Sequence, residues 1–294
     1  MVTIGIPIFN AESTLAETIQ SVLAQTSSNW ELILIDDGST DNSLSIAMAM
    51  AMHDPRIRVI ADGVNRGLPT RLNQIVEEAK YDLVMRMDAD DLMHPERLEK
   101  QLKVLQDDSS IDLVCTGLYS VTNQLDLRGS RNSIVPQPLT LIDVVFGRCQ
   151  IVHASILVRK QWYLRNRYNP ASKRIEDYEL FVTAASRNDL RVRALDEYLY
   201  VYREEGNVHF SKLKQVYLSK FRFITLNRQL NIPVWLRLRF GFVQLSKLLI
   251  AYVLHLLKLN RLMLMLRGNS PVSPRLQKDL SEILGKIRRA SHEA

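Results

Sequence analysis

Leu83-Val84-Met85-Arg86-Met87-Asp88-Ala89-Asp90-Asp91 is an apolar run that ends abruptly in three carboxylates. The residues 81–87 have the length and bulk of a buried strand. Carboxylates crowded at the end of a strand repel one another unless a cation lies between them. Mg²⁺ is typically held by one or two protein carboxylates together with the phosphate oxygens of a ligand. The stretch therefore predicts a cation site that faces a bound diphosphate, although a solvated acidic turn would contain the same residues.

Strand and helix patterns alternate through the first ninety residues. Apolar runs of strand length occupy 2–8, 31–35, 57–60 and 83–87. Amphipathic runs of helix length separate them, at 12–24, 41–52 and 68–79. Strands joined through helices form a parallel sheet with right-handed crossovers, so we predict an α/β fold with a mostly parallel central sheet flanked by helices. Ligands of such sheets bind beyond the carboxyl ends of the strands.

The residues that follow three of these strands carry groups suited to a nucleotide. Phe9 follows the first strand and offers a flat ring, and Asp37 follows the second and can accept a hydrogen bond from a base. Together with the cation site after the fourth strand, they predict a nucleotide-diphosphate pocket, although Asp37-Gly38 is also a favoured turn pair. No G-x-G-x-x-G follows the first strand and no G-x-x-x-x-G-K-[ST] occurs, which argues against a dinucleotide fold and a P-loop.

The periodicity is less regular after Asp112. Strands are predicted at 113–117, 151–158 and 195–202, and helices at 139–146 and 177–186. The body of the fold is expected to end near Arg203, and three helices follow at 213–230, 234–257 and 276–288. We therefore divide the chain into a body over 1–211, with halves 1–110 and 111–211, and a basic amphipathic helical C-terminal region over 212–294.

Charge divides the chain at the same place. Residues 212–294 hold 16 Lys and Arg against three acids, a balance of +13, whereas the remainder holds 22 against 29, a balance of −7. A basic tail on an acidic body indicates an anionic partner. Nucleic acid is not expected as that partner, because the basic residues alternate with bulky aliphatic ones.

The stretch 234–267 suits a membrane surface. Arg237, Arg239 and Lys247 interrupt its apolar residues, and the uninterrupted run 248–257 is shorter than the about 20 residues that cross a bilayer. We expect interfacial helices on anionic lipid, although a hairpin packed on the body would show the same pattern. Two distant cysteines, and no basic-then-apolar leader before the first strand, favour a cytoplasmic protein at the inner face of the cell membrane.

Five motifs carry a family resemblance. They are Ile6-Pro7-Ile8-Phe9-Asn10 with Glu12, Ser21-Val22-Leu23-Ala24-Gln25-Thr26, Ile35-Asp36-Asp37-Gly38-Ser39-Thr40-Asp41, Asn65-Arg66-Gly67, and Met87-Asp88-Ala89-Asp90-Asp91. In the order and spacing of these motifs, the chain resembles inverting family 2 glycosyltransferases of the GT-A fold. The resemblance covers roughly the first two-thirds of the chain. It implies that 1–211 is a GT-A catalytic domain, with a nucleotide-binding half (1–110) and an acceptor-binding half (111–211).

The resemblance also implies a set of site residues. Those that bind the nucleotide-diphospho-sugar would be Pro7, Phe9, Asn10, Glu12, Asp37, Asn65, Arg66, Asp88 and Ala89. Pro7 and Phe9 would line the base pocket, and Asp37 would accept from the base. Asp88 would lie against the ribose, and Asp90 would hold Mn²⁺ or Mg²⁺ across the diphosphate. An extended chain at this point would turn the side chains of Asp88 and Asp90 to the same face and that of Asp91 to the other.

Asp177 is the candidate catalytic base. It opens a predicted helix in Ile175-Glu176-Asp177-Tyr178-Glu179, where the helix dipole favours negative charge, and it resembles the acid that supplies the base in this family. An N-terminal capping acid would occupy the same position, and Glu176 and Glu179 are lesser candidates. The segment 202–211 resembles the one that closes over the diphosphate, although Glu205 stands where many relatives have His, and His209 is a weak substitute.

The resemblance implies sugar transfer to a hydroxyl of a glycan or lipid-linked acceptor in the synthesis of cell-surface polysaccharide. A sugar-phosphate nucleotidyltransferase is an alternative, but it would need a glycine-rich loop with Arg and Lys after the first strand, which 7–12 lacks. A membrane-docked scaffold that keeps the fold without turnover is another. A processive polymerase is disfavoured, because no Gln-x-x-Arg-Trp motif occurs.

Overall fold

The computed structural model describes residues 1–204, 210–257 and 270–293. The strands are β1 (Val2–Ile8), β2 (Trp30–Asp36), β3 (Ile57–Ala61), β4 (Leu83–Arg86), β5 (Leu92–Met93), β6 (Leu113–Val121), β7 (Leu127–Arg131), β8 (Leu157–Arg159) and β9 (Val192–Arg203). The helices are α1 (Leu15–Leu23), α2 (Ser43–His53), α3 (Leu68–Glu78), α4 (Arg97–Asp107), α5 (Leu141–Val145), α6 (Lys160–Arg165), α7 (Glu176–Ser186), α8 (Phe210–Leu226), α9 (Val234–Leu256) and α10 (Pro274–Glu293). Residues 205–209, with Glu205 and His209, lie outside the described residues, as does the part of the predicted membrane stretch from 258 onwards.

The strands form one sheet in the order β3-β2-β1-β4-β8-β6-β9-β5, with β7 paired to β6. In the first half, β1 to β4 are parallel, since β1 pairs in parallel with β2 and β4, and β2 with β3, whereas the two-residue β5 pairs antiparallel with β9. In the second half, β6 and β9 are parallel, whereas β8 runs antiparallel to both of its neighbours. Because the parallel ladders contain most of the paired residues, the expected α/β fold with a mostly parallel sheet is confirmed.

Apolar cores cover both faces of the sheet. One face of β1 (Val2, Ile4, Ile6, Ile8) packs with apolar residues of α1, α2 and α4. The opposite face of β2, with Ile33 and Ile35, packs with α3, α6 and α7. Strands covered on both faces are near-continuously apolar. For this reason β1 to β4 could be predicted from their apolar runs alone. The loops that follow the strands lie beyond these two cores, at the ends of the strands.

The predicted strand at 151–158 is wrong in its first part. His153–Ser155 forms a single 3-10 turn, and only Leu157–Arg159 pairs in the sheet, as β8. The Ser155 hydroxyl donates to the carbonyl oxygens of Val152 (2.8 Å) and Thr116 (3.1 Å). This local bonding competes with strand formation, so the chain bends into the turn before it joins the sheet.

The C-terminal helices pack on the body at two places. In α8 and α9, Ile224, Leu236 and Phe240 are buried in the same core as α7. In α10, Leu280, Ile283 and Ile287 pack instead against β5, β6 and β9 at the far edge of the sheet. Both halves of the proposed C-terminal region thus share apolar cores with the body, so the helical appendage is not an independently packed unit. The boundary at 212 remains a prediction.

Much of the apolar surface of helix α9 is not covered by any of the described residues. Its exposed apolar side chains are Val234, Trp235, Leu238, Phe242, Leu245, Leu249, Ile250, Tyr252, Val253 and Leu256. The helix has 23 residues, and its length and composition alone would allow it to cross a membrane. The position on the membrane surface remains a prediction.

Candidate functional site

A cleft of about 1410 Å³ opens where β1 and β4 end. It brings together seven of the residues predicted from the sequence, which are Pro7, Phe9, Asn10, Asp88, Ala89, Asp90 and Asp177. The second half contributes residues of 123–132 and 150–154, and α8 contributes Lys220. The cleft therefore lies at the carboxyl ends of the strands, as expected for this fold class, and it is shared by both halves of the body.

Three carboxylates converge on one wall of this cleft. One carboxylate oxygen from each of Asp88, Asp90 and Asp91 lies within 4.8 Å of the other two. The chain turns at Ala89 and Asp90, so the expectation of an extended chain, with Asp91 directed away from the other two, is wrong. The turn gathers all three oxygens at one point, with Asp90 exposed, Asp88 half-buried and Asp91 fully buried.

Helix α1 holds the backbone of this acidic turn. The Thr14 hydroxyl donates to the carbonyl oxygen of Ala89 (3.0 Å). The Thr18 hydroxyl donates to the same oxygen and to the carbonyl oxygen of Asp91, both at 2.9 Å. Both threonines bond to main-chain oxygens, so neither of them engages any of the three carboxylates.

Strand β9 holds the buried carboxylate. The hydroxyl of Tyr200 donates to Asp91 Oδ2 (2.8 Å), and the backbone N–H of Arg203 donates to Asp91 Oδ1 (2.9 Å). The Arg203 guanidinium also bonds to the carbonyl oxygen of Asp90 and to Glu17. Residues of the second half of the body thus hold in place the acidic turn, which belongs to the first half.

Charge repulsion marks the turn as a cation site. Although Asp90 is exposed to the cleft, the surrounding protein keeps much of the water away from its carboxylate, and this desolvation together with the neighbouring charge of Asp88 raises the pKa of Asp90 to about 6. Burial, followed by the charges of Asp90 and Asp88, also raises the pKa of Asp91 well above its ordinary range. Arg86 offsets part of this repulsion through its 2.6 Å contact with Asp88. An all-oxygen cluster of crowded carboxylates fits a hard divalent cation such as Mg²⁺ or Mn²⁺.

Asp37 is buried beside the cleft wall, where internal donors surround its carboxylate. Its Oδ1 accepts from the N–H of Arg66 (2.7 Å) and from Arg71 Nε (2.8 Å), and its Oδ2 accepts from the N–H of Gly67 (3.0 Å). Asp37 thereby fixes the loop that carries Asn65 and Arg66. A direct bond from Asp37 to a nucleotide base remains a prediction.

Arg71 completes the support of this loop. Its side chain is fully buried and donates to Asp37, to both oxygens of Asp62, to Gln74 and to the carbonyl oxygen of Val64. These bonds use all five N–H groups of the guanidinium. One residue of α3 therefore joins the ends of β2 and β3 to the loop between β3 and α3.

Glu12 likewise bonds within the protein. Its Oε2 accepts from the backbone and side-chain N–H groups of Asn42, both at 3.0 Å, and its own N–H donates to Asp41 Oδ2. These bonds tie the loop after β1 to the start of α2. Glu12, Asp37, Asn65 and Arg66 do not line the cleft itself, and their roles toward a ligand stay predictions.

Asp177 lies on another wall of the cleft, in the first turn of α7 with Glu176. Tyr178 anchors this turn, since its hydroxyl donates to the carbonyl oxygen of Val145 (2.8 Å) and its ring stacks on Phe240 of α9. Asp177 is half-buried. A carboxylate held in this position can take a proton from a group bound in the cleft, and its role as the base remains a prediction.

Sequence reasoning missed several residues of the cleft. Arg86 is buried at the end of β4, and Arg131 forms an ion pair with Glu204 at 2.9 Å. The position of Arg86 could have been found, because a single charge within a buried strand needs a partner nearby. Lys220 could not have been found, because the sequence of α8 does not show which of its faces meets the cleft.

Three comparisons with known proteins agree on the nature of this fold. Residues 3–198 match the family model described as Glycosyl transferase family 2. The protein EpsE of Bacillus subtilis (strain 168) is 36% identical over 211 residues, which cover 70% of this chain and 74% of EpsE.

Solved structures share the architecture at low identity. S. aureus TarS 1–349 in complex with UDP has a TM-score of 0.61 and 20% identity, over 83% of this chain and 70% of that one. The mannosyltransferase PcManGT from Pyrobaculum calidifontis, in complex with GDP-Man and Mn²⁺, has a TM-score of 0.58 and 14% identity, over 99% and 86%. At these identities the likeness concerns the fold, and the expected GT-A architecture is confirmed.

Gly38 and Gly63 provide a matched pair for testing the loop beside Asp37. Both have positive φ, +73° and +70°, but a Cβ on Gly38 would lie 2.9 Å from the backbone N of Asn65, whereas one on Gly63 meets nothing within 4 Å. We expect Gly63→Ala to cost about 1 kcal/mol of unfolding free energy from φ strain alone. Gly38→Ala should cost at least about 1 kcal/mol more from overpacking. Urea denaturation measures both losses of unfolding free energy. Equal losses would show that the loop relaxes enough to accommodate the methyl group of Gly38→Ala without overpacking.

The raised pKa of Asp90 predicts that cation binding depends on pH. A carboxyl group with a pKa of about 6 is mostly ionised at pH 7 and mostly protonated at pH 5, and protons compete with a metal for the same oxygens. Mn²⁺ affinity should therefore fall by about tenfold between pH 7 and pH 5, as measured by the electron paramagnetic resonance signal of free Mn²⁺. Asp90→Asn should bind weakly at both values. Equal affinity of the unaltered protein at pH 5 and pH 7 would contradict this assignment.

Proposed function

This chain belongs to glycosyl transferase family 2, and we propose that it is an inverting, metal-dependent enzyme that moves a sugar from a nucleotide-diphospho-sugar to a hydroxyl of a glycan or lipid-linked acceptor. The observation that carries the proposal is one cleft lined both by the Asp88-Asp90 carboxylates and by Asp177. The first group suits the diphosphate of a donor, and the second suits the hydroxyl of an acceptor. Synthesis of cell-surface polysaccharide is the process in which we place it.

The donor end would depend on Asp88 and Asp90. Asp90 is the member of the acidic cluster most open to the cleft, and Asp91 is the member whose oxygens are already bonded to Tyr200 and Arg203. We therefore assign cation binding to Asp90, with Asp88 beside it. A divalent cation held there would stabilise the negative charge that the departing nucleoside diphosphate gains. Phe9, exposed at the same cleft, offers its ring to the base.

The acceptor end would depend on Asp177. Inversion requires the acceptor hydroxyl to attack the anomeric carbon from the face opposite the leaving group. One general base within hydrogen-bond reach of that hydroxyl is sufficient for its activation. The Asp177 carboxylate would accept the hydroxyl proton as the new glycosidic bond forms. Because the transition state carries positive charge on the sugar ring, a nearby carboxylate also stabilises it electrostatically.

We further propose that the protein works in the cytoplasm, at the inner face of the cell membrane. Support comes from the described part of the predicted membrane stretch, 234–257. Its exposed apolar side chains recur at three- and four-residue spacing from Trp235 through Leu238, Phe242 and Leu245, so they share one face of the helix. Arg239 and Lys247 are exposed on the same helix, and 210–257 contains no described acid. This chemistry matches an anionic lipid surface better than a second copy of the chain, which would bring like charges together.

Donor turnover tests the proposed reaction. The full chain, a panel of nucleotide-diphospho-sugars and a membrane extract should release nucleoside diphosphate, and EDTA should stop the release. Asp90→Ala should lower the rate at least tenfold by weakening cation binding. Asp177→Asn should lower transfer by 10²-fold or more, the usual contribution of a general base, while nucleotide binding persists. Asp107→Asn, at an exposed position of α4, is the matched control.

Several outcomes would contradict that proposal. Release that is indifferent both to EDTA and to Asp90→Ala would remove the metal from the mechanism. Pyrophosphate formed from a sugar phosphate and a nucleoside triphosphate would identify a nucleotidyltransferase. Nucleotide binding without turnover under any condition would indicate a scaffold.

Vesicle binding tests the membrane surface. The protein should sediment with vesicles that contain anionic lipid and only weakly with neutral ones, and 0.5 M salt should release part of it. Phe242→Glu should weaken binding at least tenfold, because it places a charge on the apolar face. Met52→Glu is the matched control, since Met52 is also an exposed apolar residue but lies on α2. Equal binding by both variants, or a dimer that Phe242→Glu dissociates, would refute lipid as the partner of this face.

A further inference from the structure

Lys220 is a cation in the cleft that forms no ion pair with any of the described residues. It lies on α8 and lines the same cleft as Asp88, Asp90 and Asp177. Among the described residues it forms no hydrogen bond and no ion pair, so no described carboxylate oxygen lies within 4.0 Å of its Nζ. Its Nζ lies over the ring of Tyr178, whose centroid is 4.3 Å away.

This arrangement is unfavourable for an ammonium group unless a ligand joins it. Withdrawal from water lowers the pKa of Lys220, and the charge of Lys247 adds to that effect, while the charge of Asp177 opposes it. A cation–π contact compensates only part of such a desolvation cost. An anion bound in the cleft would supply the missing hydrogen bonds and the missing charge.

The surroundings of Lys220 assign it to the acceptor. Lys220 lies over Tyr178, the residue that follows Asp177 on α7. Among the described residues, the charges that act on it are those of Asp177 and of Lys247 on α9, and not those of the acidic turn. Under the proposed function, Asp177 must touch the acceptor hydroxyl, so the group next to Asp177 faces the acceptor. Tyr178 of α7 stacks on Phe240 of α9 and contacts Lys220, and this packing also fixes Lys220 relative to the base.

We propose that Lys220 binds a phosphate or carboxylate group of the acceptor, next to the hydroxyl that receives the sugar. The proposal rests on the proposed function and adds the substrate class, an anionic acceptor. A hydroxyl group could accept one hydrogen bond from Lys220, but it would leave the positive charge uncompensated. Two sources of the anion share this chemistry: the phosphate of a lipid-linked sugar and the carboxylate of an acidic sugar.

Matched acceptors test the proposal. Three synthetic acceptors would be built from the same decyl chain and the same sugar. In the first the sugar is linked directly to the chain, in the second it is linked through a phosphate, and in the third the directly linked sugar is oxidised to its uronic acid. The unaltered protein should prefer a charged acceptor over the neutral one by at least tenfold in kcat/KM, and whichever charged form is preferred identifies the source. Lys220→Met should remove the preference by lowering kcat/KM for the charged acceptor alone, with the donor KM unchanged. Lys220→Arg should retain most of it.

Lys214→Met is the matched control, because Lys214 lies on the same helix but is exposed and outside the cleft. It should keep the full preference. If Lys220→Met lowered the rate equally for charged and neutral acceptors, Lys220 would serve Asp177 alone and the proposal would be wrong. A protein that prefers the neutral acceptor would overturn it as well.

A second measurement does not depend on turnover. Lysine acetylation by acetic anhydride, read by peptide mass spectrometry, should be slowed at Lys220 by decyl phosphate and not by neutral decyl glucoside. Lys214 should be labelled equally in both cases. Protection of Lys220 in a protein without transferase activity would refute the proposed function but support the anion site, and equal labelling of Lys220 with both probes would refute the anion site.

Discussion

The crowding of three carboxylates after β4 is the constraint on which the rest of this structure depends. Asp88, Asp90 and Asp91 repel one another, and each neighbouring element limits that repulsion or holds the turn against it. Helix α1 bonds the backbone of the turn, and β4 supplies Arg86. The short strand β5, which follows the acids at once, pairs with β9 and so brings that strand to the turn.

The connection through β9 explains why the two halves of the body form one site. Tyr200 and Arg203 are the residues of β9 that reach Asp91. Arg97 of α4 is buried below them, where it bonds to the carbonyl oxygen of Arg86 and lies over the ring of Tyr200. Polar groups buried at this depth are costly unless each finds a partner. The halves therefore meet through a hydrogen-bonded network around the acids, in addition to the apolar cores.

Strands β1 to β4 could be predicted from the sequence because they are largely apolar runs. Elements whose buried face also carries polar side chains were harder to predict, and they occur in both halves of the body. Helix α4 was missed, although Leu98, Leu102 and Leu105 have helical spacing, because its buried face also contains Arg97 and Gln101. Strand β6 runs four residues beyond the prediction, past Gly117, where its pairing with β9 shifts register. Local pattern does not reveal pairing between residues that are distant in the chain.

In the candidate site, too, residues whose position follows from the local sequence pattern could be predicted, and residues placed by long-range packing could not. The acids and Phe9 follow strands directly, so the topology alone places them at the cleft. Lys220 could be located only from the structure, since it depends on how α8 packs against α7. The four predicted residues outside the lining, among them Glu12 and Asp37, show a different limit: a motif identifies residues that shape a site as readily as residues that touch a ligand.

Arg71 determines when the loop beside the cleft takes its shape. Because its guanidinium bonds to Asp37, Asp62 and the loop backbone at once, ordering of the loop is coupled to the docking of α3 on the sheet. The fold itself therefore shapes this loop, without the help of a ligand. A ligand that contacts the loop would have less conformational entropy to remove, and its binding would be correspondingly tighter for the same contacts. Lysine in this position could not reproduce the effect. Its ammonium has three N–H donors on one nitrogen, whereas the planar guanidinium of arginine presents five donors on three nitrogens in fixed directions.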